Sequence, residues 1–205
     1  MHTEILSREQ QALLPWVKQF KREFYLVGGT AISFYLGHRK SIDFGLFKSK
    51  SVVPSKYMKA VVESRFAYSV LFRDTDQIHF LVNGVKVTFF QYPYAIDAKQ
   101  DVEGVFRLPT LLDLAAMKAF ALGRRSKWKD YVDLYFLLNE HYSIEQISTR
   151  AAEVFGEEFS EKLFRAQLCY FEGVDYTEEV DWLIPNPPTI EDIQENLTNI
   201  ATAVD

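Results

Sequence analysis

Residues 24–36 read FYLVGGTAISFYL, and this stretch decides the first part of the fold. Residues 24–27 are apolar, which predicts a short buried strand. Gly28 and Gly29 end that strand, and residues 30–36 carry apolar side chains at helical spacing. Two glycines between a strand and a helix let the backbone approach phosphate oxygens, and the helix N-terminus offers unpaired N–H donors. On its own, this motif fits a purely structural turn at least as well.

The pattern on either side of this stretch predicts a sheet. A capping box of Ser7 and Gln10 opens a predicted helix over residues 7–21, in which Pro15 predicts a kink or break. Alternation and β-branched residues predict further strands at 42–47, 67–72, 78–82 and 85–90. Asn83-Gly84 predicts a hairpin turn between the last two strands.

From Pro109 onward the sequence has helical periodicity, with predicted helices at 110–122, 128–138, 143–154, 160–171 and 189–203. The chain is therefore predicted to be an α+β protein. We expect a mixed sheet with flanking helices in residues 1–106. We expect a C-terminal helical bundle in residues 107–205 to pack on that core.

Composition limits the classes of protein. With 205 residues, 48% of them hydrophobic, the chain can bury a sizeable core. No apolar run approaches the roughly 20 residues needed to cross a bilayer, so we expect a cytoplasmic protein without membrane contact. The one cysteine, Cys169, excludes an internal disulfide and is expected to be a buried structural thiol.

Charge is unevenly distributed along the chain. Residues 1–139 carry 20 Lys and Arg against 13 Asp and Glu, whereas residues 140–205 carry 3 against 15. The basic part suits an anionic ligand such as a nucleotide. The acidic part fits either a solvated helical surface, which we favour, or a surface for a basic partner.

Three further motifs follow the glycines in order. They are Leu36 to Phe44 (LGHRKSIDF), Lys86 to Phe90 (KVTFF), and Asp113 to Lys118 (DLAAMK) with Lys129 to Asp133 (KDYVD). Together with Gly28-Gly29-Thr30, this run over residues 24–138 resembles the AbiEii-type family of the nucleotidyltransferase superfamily. The resemblance implies a nucleotidyltransferase-like fold and magnesium-dependent transfer of a nucleotidyl group from a nucleoside triphosphate to an RNA or protein acceptor. It also implies a toxin that is paired with a cognate antitoxin protein.

In that superfamily the glycine turn holds the triphosphate, and an Asp-x-Asp or Asp-x-Glu pair on the next strand holds Mg²⁺. Carboxylates two residues apart on a strand face the same way and can bridge hard cations. Here Asp43 is present as a metal ligand and catalytic residue, but the second position is Gly45. The third carboxylate would fall near Thr88. We therefore expect a weak metal site, in which nucleotide phosphates supply most of the ligands.

The resemblance also assigns residues around the nucleotide. Gly28, Gly29 and Thr30 hold phosphates, and Arg39 grips one of them or steers its loop. In the helical part it assigns a catalytic Lys118 and a nucleotide or acceptor side lined by Lys129, Asp130 and Asp133. Two structural alternatives stay open. His38 and Arg39 can be an ordinary pair in a surface loop. The second alternative is a basic loop followed by Asp130 and Asp133 as an exposed charge pair on the helix.

Other candidates have ordinary explanations. Asp74 and Asp76 fit a turn better than a displaced metal site. The aromatic group Phe89, Phe90, Tyr92 and Tyr94 fits packing along a strand better than base stacking. Besides an active enzyme, two hypotheses remain: a catalytically degenerate relative that binds a nucleotide or a protein, and an interaction module that uses acidic residues 140–205.

Overall fold

The computed structural model describes residues 1–122, 124–125 and 127–203. They form two compact units, residues 1–110 and residues 111–205. The predicted boundary after residue 106 lies inside a short strand that belongs to the first unit. Among the described residues no helix is long and apolar enough to span a membrane.

A five-stranded mixed sheet forms the centre of the first unit. Its strands are β1 (Tyr25–Val27), β2 (Phe44–Lys48), β3 (Tyr68–Arg73), β4 (Gln77–Val82) and β5 (Val85–Gln91). The spatial order is β1-β2-β5-β4-β3. Strands β2 and β5 run parallel, and every other neighbouring pair is antiparallel. The predicted hairpin turn is confirmed, since Asn83 and Gly84 join β4 to β5 with φ of +47° and +79°.

Helices α1 (Arg8–Val17), α2 (Gly28–Leu36) and α3 (Pro54–Ser64) accompany the sheet. Helices α1 and α3 contribute to an aromatic core around Phe89 of β5, whose ring stacks on Tyr57 of α3 with centroids 4.6 Å apart. The rings of Trp16, Phe20 and Phe24 meet Phe89 edge to face. Burying one such side chain stabilises a fold by about 1.5–3 kcal/mol. The packing interpretation of Phe89 is therefore confirmed.

The second unit is helical in its described residues. It contains α4 (Leu111–Leu122), α5 (Trp128–Glu140), α6 (Ile144–Phe155), α7 (Glu161–Leu168) and α8 (Ile190–Thr202). Side-chain caps at Ser143, Ser160 and Thr189 fix the starts of the last three. The predicted α+β architecture, a mixed sheet followed by a helical bundle, is confirmed.

Three local features differ from what the sequence predicts. Helix α1 continues through Pro15 to Val17 and then tightens into a 3-10 turn, because the missing proline N–H lies close to the helix end. A small hairpin of β6 (Gln100–Val102) and β7 (Phe106–Leu108) was not predicted. Cys169 is only partly buried, since it follows the last residue of α7.

Candidate nucleotide site

The glycine turn, Gly28 to Thr30, follows β1 directly and forms the first turn of α2. Gly28 has φ of +78°, which strains any residue with a Cβ atom, and an added Cβ would meet nothing within 4 Å. Val27, the N-cap residue of this helix, makes no side-chain capping hydrogen bond. The turn therefore combines open space with the backbone donors and the positive end of a helix, which together favour an anion.

The guanidinium of Arg39 lies against Gly29. A Cβ added at Gly29 would stand 2.5 Å from Arg39 Nη2 and 3.1 Å from Ser41 Oγ, closer than packed atoms approach. Arg39 is 2% exposed, and its Nη1 donates to the carbonyl of Lys40 at 3.0 Å. Glycine at position 29 thus allows a buried cation to lie beside the helix N-terminus. The interpretation of His38 and Arg39 as a surface loop pair is wrong, because both are buried.

Residues 37–43, here called the Arg39 loop, are tied to two helices. Thr30 Oγ1 in α2 donates to the carbonyl of Asp43 and lies 2.9 Å from Ser41 Oγ. From α1, Gln10 Nε2 donates to the Ser41 carbonyl at 2.8 Å, and Gln10 also completes the capping box. The Arg39 loop is therefore positioned by one side chain of α1 and one side chain of α2.

Asp43 is exposed and directly precedes β2, which begins at Phe44. The predicted strand over 42–47 therefore starts two residues later than expected. Hydrogen bonding of Thr30 to the Asp43 carbonyl accounts for the later start, since that carbonyl is engaged outside the sheet. The same hydrogen bond holds the Asp43 backbone beside Thr30 of the glycine turn.

The two positions at which the superfamily has further carboxylates are neighbours in the sheet. Gly45 of β2 pairs with Thr88 of β5 in the parallel register. Neither residue can supply a carboxylate. A Cβ added at Gly45 would make ordinary contact with Val27 at 3.4 Å, so a Cβ can be accommodated there.

These residues do not fit a magnesium ion held by the protein alone. Asp43 is one carboxylate where the family resemblance implies up to three. In the described part of the chain no cluster of three or more His, Cys, Asp or Glu side chains could hold a metal ion. Magnesium takes six oxygen ligands in strict octahedral geometry, and a lone carboxylate leaves most of them to other groups.

In the second unit, Lys118 of α4 joins two carboxylates of α5. Its Nζ lies 2.7 Å from Asp130 Oδ1 and 2.9 Å from Asp133 Oδ2, and all three side chains are almost fully buried. Arg125, about half exposed, binds Asp130 in bidentate fashion at 2.7 and 3.0 Å. These four residues are called the lysine–carboxylate cluster below.

The electrostatics of the cluster favour its charged form. Burial by itself would raise the pKa of the Asp130 carboxyl, but the charges of Lys118 and Arg125 outweigh it and hold that pKa below its ordinary value. The alternative of an exposed charge pair on α5 is wrong, because Asp130 and Asp133 are buried.

Lys129 and Asp113 lie apart from the lysine–carboxylate cluster. Lys129 Nζ lies 3.3 Å from Glu178, so its charge is directed elsewhere than Asp130. Asp113, buried near the start of α4, accepts from Arg150 Nε of α6 at 2.7 Å. That contact ties two helices of the second unit together.

Asp74 and Asp76 lie in the connection between β3 and β4, as the turn interpretation predicts. The Asp74 carboxylate accepts from the Thr75 amide at 2.7 Å. Three contributors to the two sites were not predicted as such, namely Gln10, Ser41 and Arg125. Ser-x-x-Gln signals a cap in the sequence, but nothing in it signals the contact of Gln10 with a residue 31 positions away.

A mixed sheet with a strand, glycine turn and helix, followed by a helical unit, is the α+β architecture expected of a nucleotidyltransferase-like protein. The sequence model of the family described as "Nucleotidyl transferase AbiEii toxin, Type IV TA system" matches residues 64–202. The chain therefore belongs to the AbiEii family of nucleotidyltransferase toxins. The matched range begins after the glycine turn and Asp43.

The chain is also similar to individual proteins. An uncharacterised protein of Aquifex aeolicus (strain VF5) is 33% identical over 142 residues, which are 66% of this chain and 68% of that protein. JHP933 from Helicobacter pylori has a similar structure, with a TM-score of 0.62 and 16% identity over 96% of this chain and 91% of that one. MenT4, a nucleotidyltransferase toxin of Mycobacterium tuberculosis, has a TM-score of 0.57 and 12% identity over 95% and 83%. At these identities the two structures show the shared fold.

Proposed function

We propose that the protein binds a nucleoside triphosphate at the glycine turn and transfers its nucleotidyl group to an acceptor. The observation that carries this proposal is the approach of the Arg39 guanidinium to Gly29 at the start of α2, close to the backbone of the exposed Asp43. A helix N-terminus and a fixed guanidinium are both suited to phosphate oxygens. Family membership supports the same reaction class.

In the reaction an acceptor oxygen forms a bond to the α-phosphorus, and the bond from that phosphorus to the β-phosphate oxygen breaks, releasing pyrophosphate. Amides of Gly28, Gly29 and Thr30 would hold phosphates, with Arg39 balancing their charge. Asp43 would be the protein's ligand to a magnesium ion that the nucleotide phosphates bring with them. That ion supplies charge neutralisation when bound.

The residues of the second unit enter the proposal by family resemblance. Lys118 would assist the transfer, and Lys129, Asp130 and Asp133 would contact the nucleotide or the acceptor. The geometry favours Lys129 over Lys118 as the lysine that contacts a ligand, because the charge of Lys118 is already neutralised by two buried carboxylates. Lys129, which is less buried and reaches Glu178, is the more accessible of the two lysines.

We propose RNA as the acceptor ahead of protein, since residues 1–139 have a net positive charge that suits a polyanion. We also propose a cognate antitoxin as a partner, on the grounds of the family's description as part of a toxin–antitoxin system. The antitoxin proposal is tested by expressing the protein with and without the neighbouring gene product and measuring cell growth. Equal growth in both cases would contradict the proposed antitoxin.

The direct test is a transfer assay. The purified protein is incubated with each nucleoside triphosphate labelled at the α-phosphate, total RNA and magnesium, and incorporation into RNA and protein is measured. The proposal predicts label in RNA that falls at least 100-fold in Asp43→Asn. Glu63→Gln, an exposed carboxylate on α3, is the matched control and should leave incorporation unchanged. Label that is insensitive to Asp43→Asn would contradict the proposed role of Asp43.

A second function rests on Gly45 and Thr88, which stand side by side where carboxylates are expected. In this alternative the protein binds a nucleotide, or a protein partner, without transferring anything. Gly45→Asp tests it, because it places a carboxylate two residues after Asp43 at a position where a Cβ makes only ordinary contacts. Activity that appears only in Gly45→Asp would establish a degenerate site, whereas activity in the unaltered protein would dismiss this alternative.

A further inference from the structure

A second cavity lies at the other end of the β1–β2 pair. Its walls come from the first unit alone and include Tyr25 at the start of β1, Lys48 and Lys50 at the end of β2, and Arg107 of β7. The cavity measures about 340 Å³, near the lower end of the range for small-molecule sites. Tyr25 and Gly28 are three residues apart on an extended segment, so this cavity is about 10 Å from the glycine turn.

The lining has more positive than negative charge. Two acidic side chains line it, against four basic ones, which are Arg22, Lys48, Lys50 and Arg107. Both acidic groups have lysine partners, since Glu23 pairs with Lys48 and Asp97 pairs with Lys99. Neither Arg22 nor Lys50 takes part in an ion pair with a carboxylate in the described chain.

Arg107 is held in place without being neutralised. Its Nε donates to the carbonyl of Lys21 at 2.9 Å, and its Nη2 lies 3.4 Å from the carbonyl of Phe24. These acceptors are neutral, so the guanidinium retains its full charge. The two N–H groups on Nη1 are not used by these contacts.

The observation that points to a ligand is the hydroxyl of Tyr25. The side chain is 5% exposed and lines the cavity, yet its hydroxyl has no hydrogen-bond partner in the described chain. Buried hydroxyls are normally paired, because an unpaired one loses its hydrogen bonds to water without replacement. Burial raises the pKa of Tyr25, against the opposing charge of Arg107, so the hydroxyl keeps its proton and can donate.

We propose that this cavity is a second anion site that binds a phosphate group, with Tyr25, Arg107 and Lys50 as its donors. A phosphate oxygen can accept from a neutral hydroxyl and from guanidinium and ammonium groups at once, which matches the unpaired donors present. The phosphate comes either as a free small molecule or as a phosphodiester of an RNA strand. The site is independent of the proposed function, because none of its residues belongs to the glycine turn.

The experiment is an NMR titration of the full chain labelled with ¹⁵N, using inorganic phosphate in one arm and an RNA tetranucleotide without terminal phosphates in the other. The proposal predicts saturable shifts of the Ser49, Lys50 and Ala98 amides. Amides of Gly28 to Thr30 report separately on the glycine turn. Tighter binding in the first arm identifies a free phosphate, and at least tenfold tighter binding in the second identifies a phosphodiester.

Variants test the donors directly. Tyr25→Phe removes only a hydroxyl that bonds no protein group, so folding should be unaffected while phosphate affinity falls roughly 5- to 10-fold. Lys50→Gln should have a similar effect, and Lys59→Gln on the exposed face of α3 should have none. Unchanged affinity in Tyr25→Phe would overturn the proposal. Shifts confined to the glycine turn, or no saturable shift in either arm, would also overturn it.

Discussion

The glycine turn and the lysine–carboxylate cluster contain the residues that the family resemblance singles out, but the two regions are built in opposite ways. At the glycine turn the groups suited to a ligand are backbone amides and one guanidinium, and the space beside Gly28 is open. In the cluster, Lys118 is buried and already bound to Asp130 and Asp133. The comparison supports our proposal of a ligand-binding region in the first unit, whereas the second unit contains a buried charge network.

The largest effect is expected for Lys118→Met. The substitution leaves two buried carboxylates without their shared cation, and breaking a buried ion pair on one side costs about 3–5 kcal/mol. Urea unfolding followed by fluorescence would measure it. Arg125→Gln, at the half-exposed end of the same cluster, is the control and should cost clearly less. A stable Lys118→Met protein with lost activity would instead support a catalytic Lys118.

Protonation of Asp130 at low pH is expected to cause a smaller loss of unfolding free energy in the same cluster. The pKa of Asp130 is lower in the folded protein than its unfolded value of about 3.9, so the stability it contributes is present above that value and disappears as pH falls through the folded pKa. Unfolding free energies measured between pH 6 and pH 3 should decline less steeply in Asp130→Asn. Identical slopes in the two proteins would contradict a lowered pKa of Asp130 in the folded state.

A smaller effect is expected for Gly29→Ala. The added Cβ would displace the buried Arg39 guanidinium, and overpacking of this kind costs about 1–3 kcal/mol. Nucleotide affinity should fall with it, because Arg39 moves from the helix N-terminus. Gly45→Ala is matched in chemistry but adds its Cβ at ordinary contact distance, so its stability should change by less than about 0.5 kcal/mol. Equal effects at the two glycines would refute the steric account.

The smallest effect concerns the Arg39 loop. Gln10→Met removes both the capping contact with Ser7 and the hydrogen bond to the Ser41 carbonyl, with an expected loss of about 1–2 kcal/mol. Gln146→Met in α6 removes a capping contact alone and serves as the control. The difference between the two variants measures the tie between α1 and the loop. If both lose the same amount, the bond to Ser41 contributes nothing to stability.

Local signals in the sequence were enough to predict most elements of the fold. The turn at Asn83-Gly84 and the capping boxes at Ser7 and Ser143 depend on residues within a few positions of one another. The hairpin of β6 and β7 escaped prediction because its strands have three residues each, too few for a period to show. Its turn also places Glu103, a residue without special turn preference, at positive φ.

The candidate site could be predicted only in part. The glycine turn was recognisable, because a strand, two glycines and a helix are adjacent in sequence. The burial of Arg39 and its contact with Gly29 depend on the packing of the Arg39 loop against α2. Local sequence patterns do not predict that packing. The pairing of Lys118 with Asp130 likewise joins two helices, so the sequence predicted the residues but could not tell a ligand contact from an internal ion pair.

The most direct test of the account is calorimetric titration of the purified protein with each nucleoside triphosphate, with and without magnesium, in the unaltered chain and in Asp43→Ala. The account predicts binding of at least one nucleotide that magnesium strengthens, and loss of that strengthening in Asp43→Ala. Absence of binding to every nucleotide in both conditions would contradict the assignment of the glycine turn as a nucleotide site.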